Sequence, residues 1–95
     1  MRYRSRMDIV ADMLHVAQDG TIKTRIMYKA FLSYPQLKEY LALMTDGGLL
    51  DYSKDEGKYY TTENGRRFLK MYRDIGRAIT PKGTNTARTM VLEAS

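Results

Sequence analysis

The sequence contains no cysteine and a single histidine, His15. A disulfide framework therefore cannot form, and the chain has neither thiolates nor a second imidazole with which to hold a metal ion. One histidine without an obvious partner gives no basis for acid–base catalysis. Gly-rich phosphate loops, nucleophile elbows and zinc-ligand spacings are also missing. The sequence predicts a protein without catalytic residues, without a metal site and without a cofactor.

Long apolar runs are lacking as well. No stretch approaches the roughly 18 consecutive apolar residues that a membrane-spanning helix needs. The first residues, Met-Arg-Tyr-Arg-Ser-Arg, do not contain the apolar segment of a secretory signal. We therefore expect a soluble, intracellular protein with no membrane partner, and the absence of cysteine suits a reducing cytoplasm.

The charge, in contrast, is weighted to one sign. Sixteen Lys and Arg residues stand against eleven Asp and Glu, giving a formal net charge of +5 and an isoelectric point near 9.6. This balance favours a polyanionic partner such as nucleic acid. Ninety-five residues with 43% apolar content are enough for one modest core and not for two, so a single folding unit is predicted.

The first third of the chain has the pattern of two helices around a short extended run. Ser5 is a helix cap with Asp8 favourably placed near the positive helix end, and apolar residues recur at helical spacing until about residue 18. A second, short helix should run from about Thr24 to Ala30. Between the two, Ile22 in the run 21–23 is expected to pair with a hairpin edge formed elsewhere in the fold.

The third helix has the clearest start signal in the sequence. Ser33 and Gln36 have the spacing of a capping box, and Leu32 with Leu37 that of a hydrophobic staple. Gly47-Gly48 supplies a left-handed exit. Opposite faces of the helix carry the apolar set Leu37, Tyr40, Leu41 and Met44 and the outward set Pro35, Glu39, Ala42 and Asp46.

The second half of the chain has the pattern of a hairpin followed by a helix. Runs 49–52 and 58–61 flank a polar tip at 53–57, which predicts two short strands. A fourth helix should begin at Thr61 or Thr62 and continue to about Ile79, because Pro81 cannot extend it. The remainder is rich in small polar residues and is predicted to be a flexible tail, although residues 89–92 could add an edge strand.

The order of elements determines the predicted fold class. The predicted order is helix, short strand, helix, tight turn, helix, hairpin and helix. This is the order of a winged helix-turn-helix, mainly α with a small β-hairpin and an additional C-terminal helix. The predicted organisation is a basic N-terminal arm at 1–5, the winged helix-turn-helix domain at 6–61, a C-terminal dimerisation helix at 62–80 and the tail at 81–95.

Four segments also carry a likeness to a known family. They are Thr24-Arg25-Ile26-Met27-Tyr28, then Leu32-Ser33-Tyr34 with Gln36-Leu37 and Tyr40-Leu41, then Gly48-Leu49-Leu50, and finally Tyr60-Thr61-Thr62-Glu63-Asn64-Gly65. Together they resemble the small archaeal winged-helix DNA-binding proteins that dimerise through a C-terminal helix. The resemblance implies a homodimer that binds double-stranded DNA, as a transcription regulator or a chromatin-associated architectural protein, with an antiparallel coiled coil between fourth helices.

The chain departs from that family where the fourth helix ends. Gly76 weakens the last turns and Pro81 stops the helix, which leaves less length for a long two-stranded coil. A DNA-binding protein of this kind is expected in the cytoplasm, associated with the nucleoid.

DNA contacts are expected from three places. The start of the second helix can clamp phosphate, the start of the third, as recognition helix, can reach base edges, and the wing can touch the backbone. The candidate residues are Lys23, Thr24, Arg25, Ser33, Tyr34, Gln36, Lys38, Lys54 and Lys58. Gln36 serves equally well as an adenine contact or as a cap, and Asp55 with Glu56 opposes a strong contact at the wing.

The fourth helix carries more apolar surface than one small domain can cover, which predicts a dimer interface. Its expected members are Phe68, Leu69, Tyr72, Ile75 and Ile79. The alternative function is a winged-helix module that binds a partner protein and no nucleic acid. Glu39 and Asp46 on the outward face of the third helix lend that alternative some weight.

Overall fold

The computed structural model describes residues 4–79. The predicted tail at 81–95 and the first three residues of the predicted arm lie outside this range. The described part of the chain has four helices and one antiparallel two-stranded sheet. In chain order the elements are α1 (Arg6–Val16), α2 (Lys23–Lys29), α3 (Tyr34–Asp46), β1 (Leu50–Ser53), β2 (Lys58–Thr61) and α4 (Glu63–Ile79).

Two helices begin with complete capping boxes. The Ser5 hydroxyl accepts from the backbone N–H of Asp8, and the Asp8 carboxylate accepts from the N–H of Ser5. Ser33 and Gln36 make the same reciprocal pair at the start of α3. Each box satisfies two N–H groups that the first helical turn leaves without an intrahelical partner. Both predicted helix starts are therefore confirmed.

The turn between α2 and α3 is short, as predicted. Phe31 adopts a left-handed φ of 56°, and Leu32 N–H donates to the Met27 carbonyl at 2.9 Å. The prediction for α2 itself is one residue late, because the helix begins at Lys23 and not at Thr24. Ile22 stands at the N-cap, where its side chain can make no capping hydrogen bond, so no sequence signal marks this start.

One core lies between the first three helices and the base of the hairpin. The apolar set predicted on α3, comprising Leu37, Tyr40, Leu41 and Met44, is buried, while Glu39 and Ala42 are exposed. The side chains of this core include Ile9, Val10, Met13, Leu14, Ile26, Ala30, Leu32 and Leu50. Burying α3 on one face leaves its opposite face in solvent, which positions that face for an external partner.

The hairpin, together with its tip, is called the wing below. Ser53 pairs with Lys58, so the tip is the four residues 54–57 and not the predicted 53–57. Gly57, with φ 68°, donates its N–H to the Ser53 carbonyl at 2.7 Å and closes the tip. The predicted pairing of the run 21–23 with the hairpin is confirmed as a single bridge. Thr21 and not Ile22 makes this bridge, through two backbone hydrogen bonds with Tyr59.

α4 packs antiparallel on α1. Gly65 lies against Leu14 near the end of α1, and the Tyr72 hydroxyl bonds to the Asp8 carboxylate near its beginning. Between these points Leu69 is only 3% exposed. The prediction of Leu69 as a dimer-interface residue is therefore wrong, because the protomer already buries this side chain against its own α1.

This arrangement confirms the predicted fold class: three helices share a core, a hairpin follows the third helix as a wing, and a further helix is added at the C-terminal side. Within residues 4–79, no helix has the length and apolar character needed to cross a membrane.

Gly65 allows the close approach of α4 to the wing, and replacing it tests that packing. A Cβ at Gly65 would stand 2.5 Å from the Leu49 carbonyl oxygen and 2.6 Å from Thr61 Cγ2. We expect Gly65→Ala to lower the free energy of unfolding by about 1–3 kcal/mol, since backbone must move to make room. Urea denaturation followed by circular dichroism measures it.

Gly76→Ala is the matched control on the same helix. No described atom outside the helix lies within 4 Å of the position of its Cβ, so the substitution should raise stability by about 0.5–1 kcal/mol through helix propensity. Equal effects of the two substitutions would contradict the packing assigned to Gly65.

Candidate nucleic-acid interface

The starts of α2 and α3 meet around one aromatic ring. Tyr34 is the first residue of α3, Lys23 is the first residue of α2, and Lys38 lies one turn further along α3. The Lys23 Nζ is 6.0 Å and the Lys38 Nζ 5.7 Å from the centroid of the Tyr34 ring. Both ammonium groups are thus within cation–π range of the same ring. We call these three residues the lysine–tyrosine cluster.

A groove runs from the lysine–tyrosine cluster along α3 to the wing. Its volume is about 290 Å³, and Ala42, Thr45 and Tyr59 line it beyond the cluster, over a floor of Leu37 and Leu41. The hydroxyl proton of Thr45 is already used within α3, because the hydroxyl donates to the Leu41 carbonyl at 2.8 Å. The groove therefore has a cationic end at α2 and an apolar to aromatic end at the wing.

The wing side of the groove is formed by Tyr59, which packs against Tyr52. The ring centroids of Tyr52 and Tyr59 are 4.7 Å apart across the strands. Burial, with a contribution from Tyr52, raises the pKa of the Tyr59 hydroxyl above its ordinary value. Tyr59 therefore stays neutral at physiological pH and adds no negative charge to the groove.

A second recess brings together two of the predicted cations. Arg25 of α2 and Lys58 of β2 line a hollow together with Asp19, Gly20, Thr21 and Ile22. The bridge between Thr21 and Tyr59 holds these elements side by side. Arg25 and Lys58 therefore belong to one surface, which shares no lining residue with the groove beside Lys23 and Lys38. Thr24 is exposed in the same turn of α2.

Lys54 is not brought into this surface. It lies at the exposed wing tip beside Asp55 and Glu56 and lines neither recess. Glu56 accepts a hydrogen bond from the Tyr60 hydroxyl, and this bond raises the pKa of Tyr60. The acidic residues at the tip are consistent with the weak wing-tip contact expected from the sequence.

Ser33 and Gln36 are committed to the cap of α3. Gln36 Oε1 accepts from the Ser33 N–H at 3.0 Å and from its hydroxyl at 3.1 Å, while the Ser33 hydroxyl accepts from the Gln36 N–H at 3.3 Å. A bidentate contact to adenine uses both the oxygen and the nitrogen of a side-chain amide. Gln36 can make it only by giving up the cap.

Arginines near the N-terminus fold back on the domain. Arg4 binds the Asp12 carboxylate at 2.8 Å and the Phe31 carbonyl at 3.2 Å. Arg6 lies 3.5 Å from the Glu39 carboxylate on α3, with its guanidinium carbon 5.6 Å from the centroid of the Tyr40 ring. Sequence patterns do not show the second contact, because 33 residues separate its partners.

Comparison with known proteins agrees with this geometry. A family model for the winged helix-turn-helix matches residues 3–80. An uncharacterized protein from Methanocaldococcus jannaschii is 32% identical over 65 residues, which cover 67% of this chain and 65% of that protein, so the match spans just under two thirds of the relative.

A solved structure supports the same fold. The crystal structure of Sso10a-2, a DNA-binding protein from Sulfolobus solfataricus, superposes with a TM-score of 0.71 over 79% of this chain and 81% of that one, at 23% identity. With the turn, the outward helix and the wing all in place, the chain belongs to the winged helix-turn-helix family.

Proposed function

We propose that this protein binds double-stranded DNA and acts by binding alone, with α3 directed at the major groove. The observation that carries the proposal is the lysine–tyrosine cluster, which places two ammonium groups at the exposed start of α3. A helix-turn-helix presents this end of its second helix to the bases. The fold shared with Sso10a-2, itself described as a DNA-binding protein, supports the proposal.

Affinity comes from cations in two places. Lys23 and Lys38 flank Tyr34 beside the groove, and Arg25 with Lys58 lines the second recess next to the wing. Cations that neutralise DNA phosphates release condensed counterions, so binding tightens at low salt. Tyr34 keeps both lysine side chains near one ring and so reduces the side-chain freedom that they lose on binding.

The outward face of α3 is poorly equipped to read bases. It presents Lys38, Glu39, Ala42, Leu43 and Asp46. Arg or Lys reads guanine and Asn or Gln reads adenine. This face offers a single cation, Lys38, and the one Gln of the helix is held in the cap. We therefore favour an architectural, nucleoid-associated role in the cytoplasm over control of a defined operator.

The protein-interaction alternative loses part of its support. Glu39, which favoured it, has its charge balanced by Arg6. If no duplex binding is measurable at low salt, the protein-interaction function becomes the better one.

A second copy of the chain is the proposed partner of α4. Met71, Ile75 and Ile79 are 60%, 50% and 78% exposed, and the rings of Phe68 and Tyr72 stack beside them. Taking about 100° per residue, these side chains share one flank of the helix, next to the face that α1 covers. Two such flanks packed about a twofold axis bury each other, since an isologous interface uses the same patch twice.

The lysines are tested by removing them one at a time. We expect Lys23→Ala and Lys38→Ala each to weaken binding to every duplex sequence and to reduce the slope of log affinity against log salt by about one. Fluorescence anisotropy at several salt concentrations measures both quantities. Lys29→Ala is the control, because Lys29 is an exposed lysine at the opposite end of α2. A loss that is equal in all three variants would argue against a localised interface.

The architectural role is tested by competition. A labelled duplex of random sequence should be displaced about equally well by unlabelled random duplex and by the upstream region of the protein's own gene. Single mismatched base pairs cost about 1–3 kcal/mol in a site that is read specifically. Preference for the upstream region by a hundredfold or more would instead favour the regulator.

The dimer is tested with two isoleucines of equal exposure. Ile75 is 50% exposed on α4, and Ile22 is 49% exposed at the N-cap of α2. We expect Ile75→Asn to raise the dimer dissociation constant at least about tenfold, since burying an Ile side chain contributes about 1.5–3 kcal/mol. Ile22→Asn should leave it unchanged. Sedimentation equilibrium at micromolar concentration gives the masses, and a monomeric wild-type protein would refute the dimer.

A further inference from the structure

The helix proposed to face DNA is itself formally negative. α3 contains one lysine, Lys38, and two carboxylates, Glu39 and Asp46, and therefore carries a formal charge of −1. Asp46 lies at the last helical position, but Glu39 lies in the middle of the helix. With about 100° per residue, Glu39 points almost directly away from the buried side chains of α3. A carboxylate there would face phosphate across the proposed interface.

One cation from another element meets this carboxylate. Arg6, the first residue of α1, places a guanidinium nitrogen 3.5 Å from Glu39 Oε2, and its guanidinium lies over the Tyr40 ring. Glu39 and Tyr40 thus hold Arg6 from two sides. The two ionic side chains are 68% and 59% exposed. Some of the five N–H donors of the guanidinium therefore remain open to solvent.

We propose that Arg6 is part of the DNA interface: it neutralises Glu39 on the face of α3 that meets the duplex and offers its remaining N–H donors to a phosphate. The inference depends on the proposed DNA binding. As an exposed ion pair the contact adds little to fold stability. Its effect is therefore expected on the affinity for DNA. Without Arg6, the uncompensated Glu39 carboxylate would be repelled by the DNA phosphates.

The proposal differs from a simple net-charge effect. If Arg6 masks Glu39, removing the carboxylate matters little while Arg6 is present and much when it is absent. If the two act independently through net charge, Glu39→Gln strengthens binding by the same factor in both backgrounds. The two cases differ in the coupling that a double-mutant cycle measures.

The experiment is such a cycle on the full chain. Wild type, Arg6→Ala, Glu39→Gln and the double variant are titrated against a labelled duplex of random sequence by fluorescence anisotropy at 0.1 M salt. Arg67→Ala is the control, because it removes one exposed cation from α4, where Arg67 bonds to Asn64 of the same helix. Thermal unfolding of each variant checks that the fold is kept.

We expect Arg6→Ala to weaken binding at least about eightfold, the contribution of about one phosphate contact at this salt concentration. Glu39→Gln should change affinity less than about twofold in the wild type and recover several-fold of the loss in the Arg6→Ala background. The Arg67→Ala control should stay within about twofold of wild type.

Two results would overturn the inference while leaving DNA binding intact: Arg6→Ala no weaker than Arg67→Ala, or equal effects of Glu39→Gln in both backgrounds. Absence of duplex binding by the wild type would remove the proposed function and this inference together.

Discussion

The junction at Thr61 is the constraint on which the domain depends. The Thr61 hydroxyl donates to the Leu14 carbonyl at 2.7 Å, and its backbone N–H donates to the Ala17 carbonyl at 3.0 Å, so the last residue of β2 is tied to the end of α1. Thr61 is buried, and a buried polar group without these bonds would be costly. Four residues later, Gly65 lets α4 pass within contact of Leu14.

The consequences of this junction reach the proposed interface. Because β2 is tied to α1, Tyr59 lies where Thr21 can bridge it, and the bridge holds the start of α2 beside the wing. Lys23 then faces Tyr34 at the start of α3, while Arg25 and Lys58 line the second recess together. The placement of Lys23 near Tyr34, and of Arg25 near Lys58, thus follows from backbone hydrogen bonds in the core rather than from any attraction between the cations.

That placement matters because α3 brings little positive charge of its own. Its formal charge is −1, so the field at its outward face depends on residues of neighbouring elements. Lys23 belongs to α2, Lys58 to β2 and Arg6 to α1, all fixed on packed secondary structure rather than on the wing tip. Electrostatic attraction in such a domain is a property of the tertiary fold, since an isolated α3 would be repelled by phosphate.

The parts of this structure that were predictable from sequence are those with local signals. Capping boxes and an apolar face involve residues three or four apart, and these located α3 and its buried side chains. The single bridge at Thr21 and the uncapped start of α2 have no periodic signal in the sequence, so the pattern predicts the bridge at Ile22 instead of Thr21. The Arg6–Glu39 contact joins distant positions that only the packing of α1 beside α3 brings together.

The error at Leu69 shows what periodicity cannot resolve on α4. The helix presents a continuous apolar arc, but α1 covers only the part with Leu69, while Ile75 and Ile79 remain exposed. On the other flank lie Arg66, Lys70, Arg73 and Arg77, about 120–180° from the exposed isoleucines at helical spacing. Asp74 pairs with Lys70 and Arg77, which hold its pKa below the usual range. A twofold contact through the isoleucines would therefore leave the cationic flank in solvent, so dimer formation and the charge of α4 do not oppose each other.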